Sequence, residues 1–455
     1  MRNNQCSMFQ LRTVLLFASG FLMASCSVQK QISKAARGLV LNDTALATAH
    51  VGISIFDTEA NKYLYNYQGD RYFVPASNIK IPTCYAAMKY LGDSLVSGRL
   101  SIDDKGSLLV FPAGDPTFLN NEFSFQPLLE EMKKHKNIRW NTTDWKEQRW
   151  GSGWAWNDYE SAYMAERSPF PVYGNIINFH LSGDTLTGFP NPLDIWFSQL
   201  NDSLSIYNQK TKTVKSNKFI LERRLDNNIV FIIPSKSSFT NMQLPFRTDV
   251  EFVSKLLEDT IKAGNVSTFA MAVGTNDNPK KQTIHSQPTD SLLKPMMHRS
   301  DNFFAEQTLL MVSHKVLGVM SDARITDTIL KTDFKDLPQK PRWVDGSGLS
   351  RYNLFTPQDF VVILNKMRNE FGMKRIKDIF ATGGEGTISS YYKRDSSFIY
   401  AKTGTLSGVV AISGFLYTSK KKLLLFSVLV NNHQASATGV RRAVEKFIQG
   451  IRRKY

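Results

Sequence analysis

The chain has 455 residues, more than a single hydrophobic core usually holds, so two or more domains or one domain with a large insertion are expected. A content of 42% hydrophobic and 12% aromatic residues excludes a disordered or fibrous protein. The net charge of +16 suits an anionic envelope polymer or lipid surface, although solubility alone explains it equally well. Nucleic acid is not an expected partner, because the basic residues are scattered and no nucleic-acid-binding motif is present.

The N-terminus has the pattern of an export signal. Arg2 and Arg12 precede an apolar run at 13–24 that is short for a membrane span. The run ends at "MASC", where small residues before Cys26 resemble a bacterial lipoprotein cleavage box. We therefore expect a signal peptide at 1–25, lipidation of Cys26, and a lipoprotein of the bacterial cell envelope that faces the periplasm. An ordinary secreted protein and an uncleaved anchor are the alternatives.

A β-hairpin and a helix are predicted next. Residues 51–57 and 62–67 alternate apolar and polar side chains around a polar turn. The following segment "NIKIPTCYAAMKYL" has helical spacing, and Pro82 is tolerated only in a first helical turn, so this helix begins near Ser77. Ser77 and Lys80 then lie one turn apart on the same face.

The rest of the chain predicts an α/β domain that is split by an insertion. Short strand-like runs fill residues 95–285, where "FQPLLEEMKKH" is the one clear helix. Helical patterns return at "DNFFAEQTLLMVSHKVL" and "TPQDFVVILNKMRNEF", and the chain ends with two strands and an amphipathic helix at 437–451. We expect the split domain at 26–94 and 286–455, with an inserted β-rich region of one or two domains at 95–285.

Three short motifs carry the chemistry. The spacing of Ser77 and Lys80 recurs elsewhere in the chain by chance, but here it is followed by "SDN" at 300–302 and "KTG" at 402–404. A serine hydroxyl is a poor nucleophile until a base takes its proton, and a lysine can be that base when burial and a nearby cation lower its pKa. The ordered set resembles the site of penicillin-recognising serine acyltransferases and hydrolases.

This resemblance implies a role for each motif residue. Ser77 is the nucleophile, Lys80 its base, and Lys402 a second cation that also attracts a substrate carboxylate. Ser300 relays a proton to the departing amine, and Asn302 binds the peptide backbone of the substrate. The backbone N–H groups of Ser77 and Thr405 form the oxyanion hole. Taken one at a time, the same residues could be helix caps and solvated surface charges.

Longer stretches narrow the resemblance to one family. "FVPASNIKIPT", "GDPTF", "MHRSDNFFAEQTL", "VDGSGLSRYN" and "AKTGTLSGVVAISGF" are similar to D-alanyl-D-alanine carboxypeptidases/endopeptidases of the low-molecular-mass class C penicillin-binding proteins. The family has a large insertion between its first two motifs. It implies a penicillin-recognising transpeptidase/β-lactamase-like fold, in which an antiparallel sheet is flanked by helices and interrupted by the β-rich insertion.

The family also implies substrates and binding residues. The expected reaction cleaves D-Ala-D-Ala ends or D-Ala cross-links of peptidoglycan muropeptides, and β-lactams are expected covalent inhibitors. Thr403, Gly404 and Thr405 correspond to the strand that binds the substrate carboxylate. Asp301 and Asp345 match the surrounding pattern, and each either contacts the substrate's side chain or caps a turn.

Neither a metal nor a cofactor is expected, because no metal-ligand spacing or nucleotide-binding motif is present. One cysteine, Cys84, remains after signal removal and lipidation, so the mature chain cannot form an internal disulfide. Two other functions share this sequence pattern: a β-lactamase, which differs in how fast water clears the acyl-enzyme, and a catalytically silent peptidoglycan-binding protein.

Overall fold

The computed structural model describes most of the chain. The described residues are 29–190, 197–198, 207–208, 213–214, 218–262, 264–269 and 281–455. The predicted signal peptide and Cys26 lie outside them. The chain divides into two compact units, one made of the chain up to Ile81, Asp336–Arg342 and Asn353–Tyr455, the other of Pro82–Lys335 and Trp343–Tyr352. The domain boundaries predicted after residues 94 and 285 stay predictions.

Helices and strands are distributed along the whole described chain. The helices are α1 (29–36), α2 (Lys80–Tyr90), α3 (Pro127–Met132), α4 (Val250–Ile261), α5 (Thr289–His298), α6 (Asn302–Leu317), α7 (Asp322–Lys331), α8 (Pro357–Ile379) and α9 (Ala437–Lys454). The strands are β1 (His50–Asp57), β2 (Lys62–Tyr67), β3 (Ser94–Ile102), β4 (Leu108–Pro112), β5 (Asn137–Asn141), β6 (Ile176–Ser182), β7 (Thr185–Phe189), β8 (Phe197–Ser198), β9 (Tyr207–Asn208), β10 (Thr213–Val214), β11 (Phe219–Arg223), β12 (Val230–Pro234), β13 (Asn241–Pro245), β14 (Asn265–Phe269), β15 (Gln282–Pro288), β16 (Ala381–Thr382), β17 (Ile399–Leu406), β18 (Val409–Tyr417) and β19 (Leu423–Asn431).

The first unit is built on one antiparallel sheet. Its strand order is β16-β17-β18-β19-β1-β2. One face packs against α1 and α9 through a cluster that includes Ile53, Phe426 and Phe447. The other face packs against α8, whose first residue Pro357 lies next to Gly52 of β1. This confirms the predicted antiparallel sheet flanked by helices.

The second unit contains three smaller sheets. Their strand orders are β14-β5-β4-β3-β15, β13-β6-β7-β10-β9 and β11-β12-β8. Its hydrophobic core includes Trp140 of β5 and Leu257 of α4. The indole N–H of Trp140 donates to Ser254 on α4 at 3.0 Å, so the largest buried side chain of this core is also hydrogen-bonded.

Most elements predicted from the sequence are confirmed, including the first hairpin (β1 and β2), α6, α8 and α9. The prediction of a single helix within 95–285 is wrong, because α4 is a second one. Asp249 caps its N-terminus by accepting a hydrogen bond from the backbone N–H of Phe252 at 2.9 Å. The "KTG" motif lies in the middle of β17, a strand that precedes the two strands predicted near the end of the chain and turns into β18 at Gly408, where φ is 74°.

Candidate active site

Ser77 and Lys80 lie at a helical turn that leads into α2. A 3-10 turn spans Ala76–Ile79, and the α-helix begins at Lys80 with Pro82 in its first turn. Lys80 Nζ donates to Ser77 Oγ at 3.0 Å. Lys80 is fully buried whereas Ser77 is half-buried, so the turn presents the hydroxyl to solvent and keeps the amine away from it. This is the geometry that a serine and its general base require.

The backbone just before the serine is unusual. Ala76 has a φ of 47°, in the left-handed region that residues with a Cβ rarely occupy. Such conformations persist where the surrounding structure holds them, and they cluster at functional sites. The turn packs on β17 and β18, and these contacts hold it in place.

A series of buried hydrogen bonds connects this turn to the sheet. Asn78 Nδ2 donates to Ser413 Oγ on β18 at 2.7 Å, and Ser413 Oγ donates to Ser427 Oγ on β19 at 2.8 Å. On the approach to the turn, Asn431 accepts from the backbone N–H of Val74 at 2.8 Å and donates to its carbonyl at 3.0 Å. The serine is therefore positioned by two strands that lie more than 330 residues further along the chain.

Strand β17, which carries the "KTG" motif, lies directly against the turn that carries Ser77. A Cβ added to Gly404 would be 2.6 Å from the carbonyl oxygen of Pro75 and 3.0 Å from the backbone N of Ser77. No side chain fits there, so glycine allows the two backbones to approach. Because side chains alternate along a strand, Lys402 shares this face with Gly404.

Lys402 is fully buried, and its Nζ donates to the carbonyl of Thr403 at 2.7 Å. Burial and repulsion by the nearby Lys80 lower the pKa of Lys402 well below the usual value for lysine. A state in which both amines are protonated is thus disfavoured. This favours a pair in which one amine can act as a base.

The two threonines of the strand have partners of their own. Thr403 Oγ donates to Thr387 Oγ at 2.6 Å. Thr405 is exposed, and its hydroxyl accepts a hydrogen bond from Arg441 Nη2 on α9 at 2.5 Å. Arg441 was not predicted from the sequence.

The "SDN" motif lies in the second unit, between α5 and α6. Ser300 has a φ of 63°, so it too occupies the left-handed region. Asp301 is the N-cap of α6, accepting from the backbone N–H of Phe304 at 2.9 Å. Asn302 begins the helix, and its Nδ2 donates to the carbonyl of Tyr163 at 2.9 Å.

A cavity of about 550 Å³ in the second unit is lined in part by Ser300, Asp301 and Asn302. Arg299 stands in its wall, paired with Glu122 at 2.6 Å and with Asp301 at 3.3 Å. Capping and this ion pair already engage the Asp301 carboxylate. Its predicted contact with the substrate's side chain stays a prediction.

Asp345, also in the second unit, accepts several hydrogen bonds that hold a turn. It is fully buried and accepts hydrogen bonds from the backbone N–H groups of Gly348 at 2.9 Å and Ser350 at 2.6 Å, and from the indole of Trp154 at 3.0 Å. Of its two predicted roles, capping a turn is the one that these contacts fulfil.

Two groups of predicted residues are thus assembled within the units. Ser77, Lys80, Lys402, Thr403, Gly404 and Thr405 lie together in the first unit, and Ser300, Asp301 and Asn302 lie together in the second. Sequence reasoning did not single out Asn78, Thr387 or Arg441. Asn78 stands inside the first motif, but nothing in the sequence pairs it with Ser413.

A family model described as "D-Ala-D-Ala carboxypeptidase 3 (S13) family" matches residues 34–451, nearly the whole chain. The chain belongs to this family. The predicted enzyme class, a serine-type D-Ala-D-Ala peptidase of the penicillin-binding proteins, is thereby confirmed. The family is one of cell-wall enzymes, which supports the general expectation of an envelope enzyme.

Curated relatives agree with the S13 assignment. The D-alanyl-D-alanine carboxypeptidase of Actinomadura sp. (strain R39) is 24% identical over 88% of this chain and 80% of its own. The D-alanyl-D-alanine carboxypeptidase DacB of Haemophilus influenzae is also 24% identical, over 85% of this chain and 86% of its own.

Solved structures show the same S13 fold. Penicillin binding protein 4 (DacB) from Haemophilus influenzae matches with a TM-score of 0.68 at 20% identity, covering 92% of this chain and 98% of that one. A predatory endopeptidase from Bdellovibrio bacteriovorus, solved with an immunity protein, matches with a TM-score of 0.51 at 14% identity, covering 88% and 92%. Within the described part of the chain, no helix has the length and apolar character needed to cross a bilayer.

Proposed function

We propose that this S13 enzyme cleaves the D-Ala-D-Ala bond of peptidoglycan stem peptides through an acyl-enzyme on Ser77. The single observation that carries this is the 3.0 Å hydrogen bond between Lys80 Nζ and Ser77 Oγ, at a turn where the lysine is buried and the serine reaches solvent. The amine is within proton-transfer distance of the hydroxyl without further rearrangement.

The reaction has two steps. In the first, neutral Lys80 takes the Ser77 proton while Oγ attacks the carbonyl carbon of the penultimate D-Ala, and the C–N bond breaks to release the terminal D-amino acid with a proton on its amine. In the second, water attacks the ester, its proton passes to the base, and Ser77 Oγ leaves as the hydroxyl.

The developing oxyanion is assigned to the backbone N–H groups of Ser77 and Thr405. The close approach of Gly404 to Ser77 supports this, because it brings the backbone of β17 beside the serine's own N–H. Removal of one such donor in a comparable hydrolase lowers the rate by roughly 100- to 1,000-fold.

The roles of the second motif and of the two threonines on the "KTG" strand rest on the family resemblance. Ser300 is assigned the proton relay to the leaving amine, and Asn302 the contact with the substrate's peptide backbone. Thr403 and Thr405 are assigned to the substrate's carboxylate.

The family's chemistry supports the proposed substrate, and the pattern of the N-terminus supports the proposed location. The proposed partners are peptidoglycan muropeptides, with β-lactams as covalent inhibitors, and a lipid on Cys26 would hold the enzyme at the periplasmic side of a membrane. Labelling of cells with an alkyne fatty acid tests the anchor. Label on the parent protein and none on Cys26→Ala supports it, whereas equal label on both rejects Cys26 as the lipidated residue.

The acyl-enzyme is tested by intact-mass spectrometry of residues 27–455 mixed with benzylpenicillin and sampled over time. A stoichiometric adduct that decays over minutes or longer, and is absent from Ser77→Ala, is expected. Lys80→Ala should acylate far more slowly. Rapid penicillin hydrolysis without a lasting adduct would indicate a β-lactamase, and neither adduct nor hydrolysis would indicate a silent binding protein.

A further inference from the structure

Arg441 lies at the exposed end of the proposed substrate-binding strand. It stands in the second turn of α9, and its guanidinium holds the hydroxyl of Thr405 through Nη2. Thr405 is itself exposed, three residues after the buried Lys402. Both groups belong to the same unit as Ser77.

Among the described residues no ion pair joins Arg441 to an acidic side chain, whereas its neighbour Arg442 is paired with Glu445 at 2.6 Å. Both arginines lie over the ring of Tyr391, Arg441 at 6.0 Å and Arg442 at 4.4 Å. The guanidinium of Arg441 therefore places a positive charge at this end of β17.

The substrate brings a negative charge to this strand. The terminal D-alanine carries a carboxylate one residue beyond the bond that breaks, and benzylpenicillin carries one as well. Lys402 is fully buried and its Nζ already donates to the carbonyl of Thr403 at 2.7 Å, so it does not stand at the exposed end of the strand where Thr405 lies. Arg441 is a positively charged side chain that contacts this end.

We infer that Arg441 anchors the substrate's terminal carboxylate, together with the hydroxyl of Thr405. The guanidinium offers five N–H donors in a planar fork that matches a carboxylate, and Thr405 engages only one of them. Because the Thr405 oxygen accepts from Arg441, its own O–H remains available to donate to the same carboxylate. The inference rests on the proposed function of Ser77.

The test compares two ligands that differ in whether the carboxylate is free and charged or esterified and neutral. Acylation of Arg441→Ala by benzylpenicillin and by its methyl ester is followed by intact mass, and hydrolysis of diacetyl-L-Lys-D-Ala-D-Ala is followed by D-alanine release. We expect Arg441→Ala to lose roughly 10- to 100-fold in second-order acylation by the acid. The methyl ester should react as with the parent, and for the peptide KM should rise while kcat changes little.

Two variants control for the fold. Arg441→Lys keeps the charge without the fork and should recover part of the loss, whereas Arg442→Ala removes the adjacent arginine and should leave both penicillins unaffected. Equal loss with acid and ester would show that Arg441 only holds the strand, and no loss with either would show that it plays no part. If the parent forms no adduct at all, the proposed role of Ser77 fails instead.

Discussion

Replacement of Gly404 by alanine tests whether the close approach of two backbones sets the reaction rate. The new Cβ would lie 2.6 Å from the Pro75 oxygen and 3.0 Å from the Ser77 nitrogen, whereas ordinary contacts begin at 3.4 Å. These two atoms belong to the backbone, and the third neighbour is the Cβ of Ala76 at 3.0 Å, so none of them can rotate aside. The turn that carries Ser77 must move away from β17 by several tenths of an ångström.

A movement of this size should slow the chemistry more than it harms the fold. Misplacement of reacting groups by about 1 Å can cost roughly 100-fold in rate, so we expect acylation by benzylpenicillin to fall about 10- to 100-fold. Overpacking typically destabilises by about 1 to 3 kcal/mol, which leaves a folded protein. Stopped-flow acylation and thermal melting measure the two effects separately.

The matched control is Gly450→Ala on α9, where the nearest atom to the added Cβ is Leu39 Cδ1 at 3.9 Å. This variant should acylate like the parent. If Gly404→Ala also acylates within about threefold of the parent while melting at the same temperature, the approach of β17 to the serine does not position the reacting groups.

Three other variants probe charge and polarity. Lys402→Met removes the cation that repels Lys80, so the rise of acylation with pH should shift to higher pH; an unchanged pH profile would show that the two amines do not interact. Asn78→Ala leaves the buried Ser413 hydroxyl without its donor, so the free energy of unfolding should fall by about 1 to 3 kcal/mol. Urea titrations measure this, and an unchanged unfolding midpoint would contradict it. Burial and Asp345 raise the pKa of Glu306 to about 8, above the 4.5 of an ordinary glutamate. The contribution of Glu306 to the free energy of unfolding is therefore full below pH 4.5 and is lost as the pH rises through 8. Glu306→Gln should therefore melt with less dependence on pH between 5 and 9, and parallel curves for both proteins would refute this.

The sequence predicted the turn that carries Ser77 because its signals are local. Pro82 limits where the helix can begin, and the spacing of Ser77 and Lys80 then fixes their common face. Asp301 likewise caps α6 through a contact only three residues away. Such features depend on neighbours along the chain, so a single sequence carries them.

The parts that sequence reasoning missed depend on distant strands coming together. Asn78 meets Ser413 only because β18 lies under the turn, and Arg441 meets Thr405 only because α9 packs on β18, the strand next to β17. No periodicity identifies such partners. The helix α4 is a different case, since Asp249 and the buried spacing of Val253, Leu256 and Leu257 were readable signals.

The strand order of the sheet in the first unit also determines when, during synthesis of the chain, this sheet can first form. β1 pairs with β19 in a register that sets His50 opposite Asn431, so the two ends of the chain form adjacent strands. At roughly 5 to 20 residues per second, synthesis completes β19 tens of seconds after β1. Ser77, the proposed nucleophile, is made early, but the strands on which its turn rests are made late. A nascent or truncated chain therefore carries the serine without the strands that support it, and the proposed acyl transfer would be among the last properties that the growing chain acquires.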